Sequence, residues 1–197
     1  MSLVTVLTPR STGGGGEPTT IFLDEFNDVD GTALASHTPD VGGPWGAFGA
    51  FNTLNTTGNR ARSASGIRGN ALALGVTDFV ATGQCTVVAS RARLYFRYVD
   101  AANYWYADFA QAAASAINIV EVVGGSPTTR ATVTDEGGDV IFTLTVAGAS
   151  VSLSGTSDTV PFGPLAYTMA SSLSGTSMAI YVANASDYFE RLEVSTP

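Results

Sequence analysis

"RLYFRYVDAANYWYADF" (Arg93–Phe109) is the densest run of rings in the chain. In an extended strand, Leu94, Phe96 and Tyr98 fall on one side and Tyr95, Arg97 and Val99 on the other. "DAANY" supplies turn chemistry, with Asp100 and Asn103 able to bond nearby backbone. Beyond it, Tyr104 and Tyr106 alternate with Trp105. The reading is a β-hairpin with large side chains on both faces. One face has to enter a core. The other either packs beneath a further layer or offers flat rings on which a sugar stacks.

Outward from the hairpin the pattern stays β. "IFLDEF", "WGAFGAFNTL", "NRARS", "NALALG" and "CTVVASRARLYFRYV" precede or enter it. "AINIVEVV", "TRATVT", "VIFTLTV", "SVSLSG", "LAYTMASS", "MAIYVA" and "YFERLEV" follow. Gly, Pro, Asn, Asp and Ser clusters separate them at the spacing of a sandwich or barrel. "AQAAASA" (110–116) alone has a helix-favouring composition, and seven uncapped residues predict a loop or single turn. "SLSGTS" occurs at 152–157 and 172–177, read as two strands ending in similar turns.

The chain has 197 residues, enough for one sizeable core, and residues 21–197 are read as a single domain. Residues 1–20 differ. "MSLVTVLTPR" followed by "STGGGGEPTT" reads as an extended, Gly-rich arm. Laid along a partner's sheet edge, Val4 and Val6 would face one way, and Leu3, Thr5 and Leu7 the other. The start of the chain lacks a basic segment followed by a long apolar one, so no secretory leader is expected there. No run of eighteen apolar residues exists, so no membrane partner is expected.

The net charge is −8, and all nine basic residues are arginine. That balance argues against nucleic acid, which needs clustered cations. Arg60, Arg62 and Arg68 are interleaved with small residues and read as solvated loop charges. The one cysteine, Cys85, allows no intrachain disulfide and reads as a buried small hydrophobe. Asn55 and Asn184 head N-x-Ser/Thr triplets, read as chance.

Catalytic arrangements are hard to assemble from these residues. One histidine, His37, and one cysteine cannot supply a zinc site. No G-x-S-x-G turn offers His37 a nucleophile. Glycoside hydrolysis requires two carboxyl groups about 5–9 Å apart, as alternate residues of a strand would provide. Asp28 and Asp30 have that spacing but sit in a turn-like "NDVDGT". Glu190 and Glu193 would point to opposite faces. Asp24, Asp28 and Asp30 are weak calcium candidates against a self-bonded turn. No cofactor and no enzymatic activity are expected. In "HTPDVGGPW" (37–45), paired prolines and glycines predict a stiff connector, with Trp45 as a buried anchor. Replacement of His37 by alanine is expected to change little.

Three segments resemble concanavalin A-like, laminin-G-like jelly-roll domains. "IFLDEFNDVDGTALASHTPDVGGPW" is similar to their opening strand and loop, and "LYFRYVDAANYWYADF" to their central hairpin. "MAIYVANASDYFERLEV" is similar to their closing strands. The resemblance implies an all-β, two-sheet antiparallel sandwich with the first and last strands side by side, preceded here by the N-terminal arm. It implies no activity, and the Glu-x-Asp-x-Glu strand of the glucanase branch is missing.

Sequences of this kind also resemble bacteriophage jelly-roll proteins. On that basis the expectation is a non-catalytic virion protein, a capsid decoration (cement) protein or a head or tail fibre module. Its arm would bind capsid or tail subunits, and a homo-oligomer is expected. The alternative is a non-catalytic glycan-binding module stacking sugars on Trp45, Tyr95, Tyr104, Trp105 and Tyr106. A glycosidase on the same fold is the remote third.

Overall fold

The computed structural model describes residues 17–111, 115–134, 137–170 and 173–197. Among the described residues there are fifteen strands. They are β1 (Thr20–Asp24), β2 (Gly46–Ala47), β3 (Asn55–Thr56), β4 (Ala61–Arg62) and β5 (Arg68–Ala73). Next come β6 (Phe79–Val87), β7 (Arg91–Asp100), β8 (Asn103–Ala110), β9 (Ala116–Val123) and β10 (Ser126–Thr134). The last five are β11 (Gly138–Ala147), β12 (Ser150–Ser157), β13 (Val160–Thr168), β14 (Ser177–Val182) and β15 (Tyr188–Ser195). A 3₁₀ turn, Leu34–Ser36, is the only helical element among the described residues.

The strands form two antiparallel sheets. One runs β13-β12-β11-β6-β15-β4-β3, with β1 also paired to β15; the other runs β10-β9-β8-β7-β14-β5-β2. This is the expected two-sheet sandwich, with first and last strands adjacent: Phe22 pairs with Val194 and Asp24 with Leu192. Strand alternation fills the space between the sheets. Leu94, Phe96, Trp105, Phe109 and Ile180 enter it from one sheet. Phe22, Phe142, Leu144, Leu153 and Leu192 enter from the other. Phe109 stacks on Phe142 across the gap, with centroids 5.0 Å apart. Gly83 of β6 lies beneath that contact; a Cβ there would strike the Phe142 ring and come 2.9 Å from the Arg191 carbonyl oxygen.

Two sequence expectations need correction. "CTVVASRARLYFRYV" is two strands, because the chain turns between Val87 and Arg91. The turn contains neither Gly nor Pro. It is held from outside by Asp187, whose carboxylate accepts the N–H groups of Val88, Ala89 and Arg91 at 2.9, 3.0 and 3.1 Å. "WGAFGAFNTL" contributes only Gly46–Ala47 to a strand before β3 and otherwise runs as a loop. The first "SLSGTS" forms the extended end of β12, and the turn follows it at Asp158–Thr159. Of the 110–116 segment, Ala110 closes β8 and Ala116 opens β9, while 112–114 lie outside the described residues.

The 37–45 connector closes one corner of the sandwich. Val41 and Leu23 exchange backbone hydrogen bonds at 3.0 Å. Asp40 accepts the Glu25 N–H at 3.0 Å. Gly42, at φ +100°, passes so close to Ile21 and Phe22 that a side chain would collide with them.

Candidate functional site

Two faces of the β7–β8 hairpin carry different jobs. On β7, Ala92, Leu94 and Phe96 point into the core. Arg93 and Tyr95 therefore point outward. Strict alternation would send Tyr98 inward with Leu94 and Phe96. It does not go there. Arg97 has φ +46°, and β7 slips register against both neighbours: Tyr95 pairs with Ala179 but Tyr98 with Ser177. The extra residue is a β-bulge that brings Tyr98 onto the outer face beside Tyr95.

The bulged residue is held by its own side chain. Arg97 is 8% exposed. Its Nη2 donates to the Gly148 carbonyl at 2.5 Å and to Asp78 Oδ1 at 3.1 Å, and its Nε to the Thr77 carbonyl at 3.4 Å. Thr77 and Asp78 precede β6, and Gly148 lies in the β11–β12 turn. The guanidinium thus ties this strand to loops of the opposite sheet, and the left-handed backbone comes with that tie.

On the outer face the rings form a second apolar cluster, separate from the core. Tyr98 stacks on Tyr104 at 5.7 Å and 29°. Tyr104 meets Tyr95 at 5.3 Å and Tyr106 at 6.1 Å. The β2–β3 loop folds over one end. Phe48 lies edge-on to Tyr95 at 4.7 Å and to Tyr98 at 5.1 Å, and Phe51 meets Tyr181 at 5.3 Å. Between them lies a depression of about 210 Å³ walled by Phe48, Phe51, Tyr95, Tyr98, Ala101 and Tyr104. Tyr98 and Tyr104 are half-buried and Phe51 is exposed, so rings line an opening to solvent.

The floor beside the depression is fixed by hydrogen bonds in the hairpin tips. Asp100 accepts from the Ala102 N–H at 2.8 Å and the Asn103 amide at 3.0 Å. These bonds hold its carboxyl below the usual carboxylate range. Asn103 in turn accepts the Gly124 N–H of the neighbouring turn at 3.1 Å.

The far end of the face is polar. Arg93 Nε donates to Asp108 Oδ1 at 2.7 Å and Nη1 to the Tyr95 hydroxyl at 3.3 Å. Its guanidinium lies 4.5 Å from the centre of the Tyr106 ring and 5.4 Å from that of Tyr181. Burial works against the Arg93 charge, but Asp108 and Tyr95 outweigh it and raise its pKa above the ordinary range. Burial pushes the Tyr95 hydroxyl up to about 12. It also raises Tyr98, with Asp100 adding to the effect, and Tyr106. These phenols remain neutral hydrogen-bonding groups at neutral pH.

The residues expected from sequence divide cleanly. Tyr95, Tyr104 and Tyr106 lie on this face. Trp45 and Trp105 do not; they are 2% and 0% exposed and cannot stack a sugar. Trp105 points inward because its neighbours Tyr104 and Tyr106 point outward. It packs with Phe96 at 6.3 Å and with Tyr167 of the opposite sheet at 5.9 Å. Sequence reading missed Tyr98, Phe48, Phe51, Tyr181, Arg93 and Asp108. Two aromatics set among glycines in "GAFGAF" were an available signal for Phe48 and Phe51. The bulge that recruits Tyr98 left none.

The aspartates proposed for calcium are engaged elsewhere. Asp24 is fully buried. Its Oδ1 accepts from the Phe26 N–H at 2.7 Å and faces His37 Nε2 at 2.8 Å, while Oδ2 accepts the Trp45 indole N–H at 2.6 Å. Asp28 bonds the Val29 N–H at 2.6 Å and faces His37 Nδ1 at 3.3 Å. The Val29 N–H, then His37, lowers its pKa. Asp30 accepts the Gly58 N–H at 2.7 Å. Among the described residues no three His, Cys, Asp or Glu side chains gather as a metal site. His37, 3% exposed, is a buried bridge between two aspartates, and on that geometry its replacement is expected to cost stability. The arm residues Leu3, Val4, Thr5, Val6 and Leu7 lie outside the described residues.

No family model matches the chain, and no curated protein matches it. Solved structures share the fold. The CBM2 module of the evolved Dit of Lactobacillus casei BL23 phage J-1 superposes with a TM-score of 0.57 at 11% identity, over 90% of this chain and 95% of that one. The exoplasmic/lumenal domain of VIP36, in its Ca2+/Man3GlcNAc-bound form, gives 0.57 at 10% identity, over 76% and 82%. The xylan beta-1,4-xylosidase from Bacillus halodurans C-125 gives 0.59 at 15% identity, over 98% of this chain; the match spans 42% of that enzyme. At these identities the shared property is the sandwich fold.

Proposed function

We propose that this protein is a non-catalytic carbohydrate-binding module that takes sugars on the outer face of the β7–β8 hairpin. The observation that carries the proposal is the depression of about 210 Å³ among Tyr98, Tyr104 and Phe51. It is smaller than the roughly 300–1,000 Å³ of clefts for drug-sized ligands, which suits a single sugar ring of a longer chain. Rigid rings supply apolar area at low entropic cost, and neutral phenols supply hydroxyl partners. Two structural neighbours point the same way: a CBM2 module and a domain solved with Man3GlcNAc bound.

The non-catalytic reading is supported by what the nearest carboxylates already do. Asp100 is bonded into its turn, and Asp108 is bonded to Arg93. Hydrolysis would need two carboxyl groups flanking one bond.

The likeness to a module of a phage Dit favours a second reading, that this module works within a phage structural assembly. The two readings are compatible, and glycan binding now leads where the sequence alone put assembly first. A glycan array followed by calorimetry, with calcium and with chelator, tests the proposal. Binding that is lost in Tyr104→Ala supports it; failure to bind any glycan in either condition removes it.

A further inference from the structure

Two of the nine arginines meet on this face, and one carboxylate serves both. Arg93 holds Asp108 at 2.7 Å. Arg91, two residues back on the same side of β7, reaches the other oxygen only at 3.6 Å. Among the described residues, no other carboxylate lies within salt-bridge distance of either guanidinium. Asp187 lies near in sequence to none of them and in space near the Arg91 backbone, but its oxygens are taken by three N–H groups of the 88–91 turn. The outward residues of the flanking strands add no acid: Asn118, Val120 and Val122 on β9, and Ala179 and Tyr181 on β14. A chain of net charge −8 therefore carries a local positive surplus at one end of its aromatic face.

The surplus is continuous with the depression. Tyr104 leads to Tyr106 at 6.1 Å, and Tyr106 lies 4.5 Å beneath the Arg93 guanidinium. From Tyr104 to Asp108 is four strand residues, about 13 Å at about 3.3 Å per residue. A ring seated at Tyr104 would place later units of an oligosaccharide beside the arginines. The side chain of Arg91 is 35% exposed, so its fork can reach them. A guanidinium matches the paired oxygens of a carboxylate or phosphate far better than a neutral hydroxyl.

We infer that the ligand is an anionic glycan, with its sugar ring at Tyr98 and Tyr104 and its acidic group at Arg91. The inference rests on the glycan-binding reading above and narrows it to a substrate class. Calorimetry on the full chain at low and high salt tests it, using oligogalacturonate, a phosphate-bearing oligosaccharide and a neutral xylo-oligosaccharide as probes. One of the two acidic probes should bind about tenfold or more tighter than the neutral one, since hydrogen bonds to charged groups are the stronger class. Which acidic probe wins separates carboxylate from phosphate. The preference should shrink as salt rises.

Arg91→Gln should erase the preference and leave neutral binding and the thermal midpoint unchanged. Equal binding of acidic and neutral probes by the wild type overturns the anionic class, and a preference that survives Arg91→Gln overturns the seat of the acidic group at Arg91; both leave glycan binding intact. Binding of no probe, together with a blank array, takes the parent reading down as well.

Discussion

The indole N–H of Trp45 donates to Oδ2 of Asp24 across 2.6 Å, inside the sandwich. The other oxygen of the same carboxylate holds the Phe26 N–H and faces His37. One buried side chain therefore fixes the end of β1, the connector after it and the histidine between them. Asp24→Ala should cost about 3–5 kcal/mol, because it strands several polar groups at once. His37→Ala should cost about 1–3 kcal/mol by freeing one side of that carboxylate. Urea unfolding of both variants checks the order; an Asp24→Ala protein as stable as the wild type would show the network to be dispensable.

Tyr104 and Trp105 are neighbours with opposite roles. Tyr104→Ala should weaken glycan binding by about 1 kcal/mol or more while barely moving the thermal midpoint. Trp105→Ala should cost about 3–5 kcal/mol of stability through the cavity it leaves. Calorimetry and thermal melts on the same two proteins separate the effects. Equal loss of stability from both would mean that the outer rings are chiefly structural.

Alkaline pH offers a probe of the buried phenols. The Tyr95 hydroxyl is pushed up to about 12 from an ordinary 10.0. The unfolded chain releases this proton first, so the contribution to stability is whole below pH 10 and disappears as pH rises through about 12. Tyrosinate absorbance should keep rising to high pH, and its latest part should shrink by one tyrosine in Tyr95→Phe, with the raised Tyr98 and Tyr106 still contributing. A single early stage in the wild type would show Tyr95 to be open to solvent.

Gly83 is fixed by the approach of Phe142 and the Arg191 carbonyl. Gly83→Ala should destabilise by about 1–3 kcal/mol, since ring and backbone would have to separate. A melt that shows no loss would mean that the Phe142 ring and the neighbouring strand can yield there without cost.

The sandwich itself could be read from sequence because its strands announce themselves locally. "AINIVEVV" is β9 from end to end, and "VIFTLTV" became β11 with its ends displaced by few residues. What escaped was set at a distance. The turn at 88–90 is made by Asp187, almost a hundred positions away, so "CTVVASRARLYFRYV" read as one strand. The Tyr98 position depends on a bulge whose arginine is tied to Gly148 and Asp78, neither of which is near it in sequence. The hairpin was seen to have two ringed faces, but alternation does not say which of them meets the other sheet. That choice seated Trp105 in the core and left the tyrosines for the site.

The pairing of β1 with β15 has a kinetic side. Phe22 and its partner Val194 are 172 positions apart, so they pair only after the chain between them has been made. At about 5–20 residues per second, a ribosome leaves β1 without its neighbour for roughly 10–30 s. During that time Phe22 and Phe26, both buried in the finished fold, have no sheet to enter. Closure of this sheet is thus a late event of synthesis, and the interval before it is when the chain is most exposed to chaperones and to aggregation.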